Sequence, residues 1–134
     1  MKKIFLKVIF ILVLVYNYLP AQQETDELYT KGWRNGKYWE ELNFQEKIYY
    51  ITGLEDGIAL ADYFTGDSSI HDEFTVKGFR MSDLVKESDL FYEQRANIKI
   101  PIAFAYHYVI SKIKGQPTTE LDDIVVRLRK TFNK

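Results

Sequence analysis

Cysteine is absent from the 134-residue chain. That excludes a disulfide staple, thiolate chemistry, a zinc–thiolate site and a lipid-bearing cysteine at a cleavage point. Histidine is nearly as scarce. His71 and His107 are widely separated among scattered acids, which is no metal-ligand spacing, so no metal or cofactor is expected. Charge of one sign is also missing, since 18 Lys and Arg stand against 19 Asp and Glu. Phosphate binding needs clustered bases, so this balance argues against nucleic acid and anionic membrane as partners. No strand–turn–helix with G-x-S-x-G, no internal repeat and no low-complexity tract occurs. The apolar run Val8–Val15 falls short of the roughly 20 residues that span a bilayer.

That run has a telling context. Lys2, Lys3 and Lys7 lead into it and Leu19-Pro20-Ala21 closes it, the layout of a secretory signal peptide over residues 1–21. Removing it lowers the bases from 18 to 15 against the same 19 acids, and the net charge moves from −1 to −4. The mature chain, residues 22–134, is expected to be exported, periplasmic or secreted, with no stable membrane span. Its length suits one domain. Without disulfides it must be held by packing, and an aromatic share of 16%, with ten Tyr and nine Phe, fits that demand.

Periodicity predicts an all-α fold: a small bundle of four to five helices around a central glycine-containing helix. That helix is read over Asn43–Phe64. Asn43 and Glu46 make a capping-box pattern, and Thr65-Gly66-Asp67 ends the element. Tyr50, Ile51, Gly53, Leu54, Gly57, Ile58, Leu60, Ala61 and Phe64 share one arc, so neighbouring helices should cover it from several directions. Gly53 and Gly57 lie four apart inside the arc, where a partner backbone could approach closely. Before it, Leu28, Tyr29 and Trp33 suit a short helix stopped by Asn35-Gly36, and Lys37–Leu42 suits a helical turn. After it, Ile70–Met81 reads as a packed loop. Ser82 would cap a helix over Asp83–Gln94 whose face is Leu84, Val85, Ser88, Phe91 and Tyr92. Pro101 starts a helix with the stripe Ile102, Tyr106, Val109 and Ile113, ended by Gly115 and Pro117. The last helix, capped by Thr118 or Thr119, carries Leu121, Ile124, Val125, Leu128 and Phe132.

Chemistry is harder to find than structure. Glu55, Asp56 and Asp62 sit on the polar side of the central helix, most simply as a solvated acidic face. His107 lies at the edge of an apolar stripe with Ser111 one turn on, but no orienting acid or oxyanion site accompanies them. The preferred reading is non-enzymatic binding of a protein partner. The alternatives are a small envelope enzyme using Glu55, Asp56 or His107 as acid or base, and a structural or chaperone-like envelope component with no single partner. Candidate contact residues for the preferred reading are Trp39, Tyr63 and Tyr92, because amphipathic rings anchor protein interfaces. Gly53, Gly57, Asn97 and Pro101 are candidate structural positions.

The order of Asn35-Gly36, Trp39, Lys47, Gly53, Gly57, Leu84-Val85, Phe91-Tyr92, Asn97 and Ile100-Pro101 resembles a diffuse group of exported bacterial helical proteins. More distantly, Trp39 to Ile113 is similar to the Rap1a/Tai immunity proteins, periplasmic helical inhibitors of a peptidoglycan amidase. The resemblance implies a helical fold and an inhibitor or immunity-like role. Those proteins usually carry paired cysteines, and this chain has none.

Overall fold

The computed structural model describes residues 27–66 and 69–134, so the expected signal peptide lies outside the described residues. Two short strands, β1 (Tyr29–Thr30) and β2 (Trp33–Arg34), pair antiparallel with Tyr29 opposite Arg34. They replace the short first helix read from the sequence. The reason is local: Lys31 and Gly32 both take positive φ, 52° and 82°, making the two-residue turn whose twist matches a hairpin. Helix α1 follows at Gly36–Glu41, capped by Asn35, whose side chain accepts from the Lys37 and Tyr38 amides.

Helix α2 spans Phe44–Thr65. Its start is the capping box predicted from Asn43 and Glu46, with each side chain bonded to the other residue's backbone amide. Its end is Gly66 in the left-handed region, whose amide bonds the Asp62 carbonyl. A short helix α3, Ser69–Phe74, occupies part of the expected loop. Helix α4 covers Met81–Glu93, one turn of 3-10 helix covers Arg95–Asn97, α5 covers Ile102–Ile113 and α6 covers Thr118–Phe132. Arg80 and Pro117, not Ser82 and a threonine, occupy the N-cap positions of α4 and α6. The fold is a small all-α bundle with one added hairpin.

The centre of the bundle is α5 rather than the glycine-bearing helix. Ile102, Ala105, Tyr106, Val109 and Ile110 are all buried there, with α4 and α6 packed alongside. On α2 the buried residue is Ile51 alone. Leu54 and Ile58 share its inward face and are partly covered, while the other half of the predicted arc points away from the core. The expected cover from more than one direction is only partial: α3 and α4 are its main contacts, while Gly53, Gly57, Leu60 and Phe64 of the arc stay exposed. The arc was wide because it comprises two stripes, one for the core and one for solvent.

A polar and aromatic node ties the hairpin and α1 to α4. Asn35 is buried, donates to the Glu27 carbonyl and Thr30 Oγ1, and forms an isolated bridge with Pro101. A Cβ on Gly36 would collide with the Tyr92 ring and lie 2.9 Å from the Ile98 oxygen, so this glycine is required by close approach. The Tyr92 hydroxyl donates to the Ile100 carbonyl at 2.9 Å. Asn97, also buried, donates to the Phe91 carbonyl at 2.7 Å and accepts from Arg129 Nε at 2.8 Å. Trp39 Nε1 and Lys47 Nζ both donate to Asp89 Oδ1 at 2.7 Å, which joins α1, α2 and α4 through one carboxylate.

Candidate functional site

The landmarks that first suggest a site in the sequence prove to be scaffold. Trp39 is 1% exposed and Tyr92 2% exposed, so neither can be a contact residue for a partner. Their rings face each other, 6.5 Å between centroids, inside the node just described. Periodicity places Tyr92 on the inward face of α4, where it is buried, whereas α1 is too short to show a buried face for Trp39. Asn97 and Pro101 are buried in the same region. Tyr63, in contrast, is 81% exposed near the end of α2.

Tyr63 belongs to the outward stripe of α2. Gly53, Gly57, Leu60 and Phe64 recur there at spacings of four, three and four residues, the alternation of a coiled-coil seam. Leu60 is 57% exposed and Phe64 76% exposed, and the Tyr63 and Phe64 rings meet edge to face at 5.5 Å. Two such apolar rings side by side in water make a pre-assembled hydrophobic knob. Beside the knob the helix is notched. A Cβ built on Gly53 or Gly57 would meet nothing within 4 Å, so no element of the described chain uses the close approach that the glycines permit. The expected intradomain crossing at these glycines is therefore absent among the described residues. The notch opens into an apolar groove of about 350 Å³ floored by Leu54, Ile58 and Ala61 and walled by Phe74 of α3.

The charges near the stripe are acidic. Glu46 and Asp56 are exposed on α2, and the helix has one base, Lys47, which is turned inward to Asp89. Glu55 is not part of a solvated face as expected. It is half-buried and accepts from the Tyr106 hydroxyl at 3.0 Å. Burial first, then the Glu55 charge and hydrogen bond, push the Tyr106 pKa well above the ordinary phenol range. One Asp62 carboxylate oxygen is buried without a hydrogen-bond partner among the described residues.

The acid–base candidates take separate partners. His107 stacks on Phe74 with centroids 4.7 Å apart, and its Nε2 lies 3.4 Å from Glu73. Asp56 is exposed on α2. No hydrogen bond joins any two of Glu55, Asp56 and His107 among the described residues. No group of three or more His, Cys, Asp or Glu among the described residues could hold a metal ion. No described helix is long and apolar enough to cross a membrane.

No protein-family model, curated protein or solved structure matches this chain. Function must therefore be argued from the surface itself.

Proposed function

We propose that the domain works by binding another protein through the outward face of α2. The observation that carries this reading is the uncovered seam formed by Gly53, Gly57, Leu60 and Phe64, with Tyr63 beside it. Two mid-helix glycines weaken α2 by about 1 kcal/mol each relative to alanine, and no described residue makes use of their smallness. Exposed Leu and Phe add a solvation penalty that burial against a partner would relieve. The partner best matched to this surface presents an apolar ridge that enters the notch, flanked by Lys or Arg opposite Asp56 and Glu46. A second copy of the same helix fits poorly, because its one base is already engaged with Asp89.

Within that reading, the leader-like residues 1–21 support export, and the resemblance to immunity proteins supports an inhibitor-like role in the periplasm. The test is site-specific photo-crosslinking in cells. A photoreactive residue at Tyr63 should give one discrete adduct, and the same residue at exposed Val126 of α6 should not. Equal labelling from both positions would end the proposal. The immunity-like reading further requires that the captured protein be a toxic effector or envelope hydrolase.

A further inference from the structure

We propose that a lysine-lined cavity beside the hairpin binds a phosphate-bearing anion. The cavity, of about 620 Å³, is bounded by the hairpin turn, the start of α1, Ile98–Lys99 and the end of α6. Lys31, Lys37, Lys99 and Lys134 line it against a single carboxylate residue, Glu27. Lys31 is fixed in place, with Nζ donating to the Thr131 carbonyl at 2.9 Å and lying 5.5 Å from the centroid of the Phe132 ring. The ammonium groups of Lys37, Lys99 and Lys134 have no ion pair or hydrogen bond among the described residues.

Uncompensated like charge gathered in one concavity is unusual in a chain whose acids outnumber its bases. The four exposed lysines share one concavity, and like charges gathered there repel one another. A compact ligand of at least two negative charges would relieve that repulsion. Phosphate monoesters and pyrophosphates carry such charge on several acceptor oxygens, and lysine meets them as a point charge from any direction. A monocarboxylate supplies half the charge. The aromatic walls leave room for a short apolar portion next to the phosphate. The site is a partly open concavity, unlike the extended basic stripe that a nucleic acid needs.

The same phosphate could arrive on a soluble molecule or on a lipid headgroup, and one experiment separates the two. Calorimetric titration of the full chain with inorganic pyrophosphate is run beside sedimentation with phosphatidylcholine vesicles, with and without phosphatidic acid. Two variants accompany the unaltered chain. Lys37→Gln/Lys99→Gln alters the cavity, and Lys77→Gln/Lys86→Gln alters exposed lysines outside it. The proposal expects the first variant to lose about tenfold in affinity for at least one probe, by loss of two charge-assisted contacts at a partly exposed site. The second should bind like the unaltered chain. Dependence on Lys37 and Lys99 in the pyrophosphate arm alone assigns a soluble ligand, and dependence in the phosphatidic acid arm assigns a headgroup. Binding that is absent in both arms, or equal across all three chains, overturns the site.

Discussion

Replacing Gly53 and Gly57 together by alanine should make the free domain more stable, which is an unusual outcome for filling glycine positions inside a bundle. Both residues lie within α2, and a Cβ at either meets nothing within 4 Å. No clash opposes the gain in helix propensity, about 0.8–1 kcal/mol per glycine. The pair is therefore worth about 1.5–2 kcal/mol, or a rise of roughly 6–8 °C in Tm for a domain of this size. Thermal melts followed by circular dichroism read it directly, with urea titration checking that the m value is unchanged. Gly36→Ala provides the contrast. There the added methyl drives into the Tyr92 ring, which its hydroxyl bond to the Ile100 carbonyl holds in place, and a loss of about 2–3 kcal/mol is expected. A double α2 variant that melts at or below the parent temperature would refute the reasoning, because it would mean that the folded chain does occupy the notch. The same variant should label less well from Tyr63 in cells, since stability is gained by blocking the approach a partner uses.

Other consequences concern the node and the core. Asp89→Ala strands the buried Trp39 indole N–H and the largely buried Lys47 ammonium, and should lower stability by about 2–3 kcal/mol in urea titration. Asp89→Asn, which keeps an acceptor, should lose less. Asn97→Ala removes the Phe91 carbonyl's donor and the Arg129 Nε acceptor in one step, with a loss of about 2 kcal/mol by the same assay. Alkaline unfolding should be steep, because burial raises the Tyr92 and Tyr106 pKa values above the unfolded value of about 10. The folded state keeps these protons longer, so stability is level below about pH 9 and falls as pH rises past about 10. The slope contributed by each tyrosine approaches 1.4 kcal/mol per pH unit. A stability that holds level to pH 11 would contradict this.

Helices α4, α5 and α6 were legible in the sequence because each buries one clean stripe. Val85, Ser88 and Tyr92, or Ile102, Tyr106 and Val109, recur at helical spacing with polar residues opposite. The capping box at Asn43 and Glu46 was equally plain, being a local pattern read locally. The place of α2 was not legible. Ile51 and Phe64 fall in one apolar arc, and nothing in the arc says that the first faces Leu54's side of the core and the second faces water. Burial depends on tertiary neighbours, so Trp39 and Tyr92 could not be told from Tyr63 by residue type. The hairpin hid behind a Lys-Gly turn that is weaker as a signal than Asn-Gly, which proved to be a helix cap with a close-packed glycine instead. Lys31, Lys37, Lys99 and Lys134 form no run in sequence, and the near-neutral total concealed the cavity they share.

Hydroxyl-radical footprinting of Leu60, Tyr63 and Phe64 tests the central claim most directly, with exposed Trp33 as the internal reference. The three α2 side chains should oxidise readily in the purified domain and be protected in intact cells, while Trp33 reacts alike in both. Equal oxidation of the α2 residues in the two settings, or protection already present in the purified domain, would contradict the account.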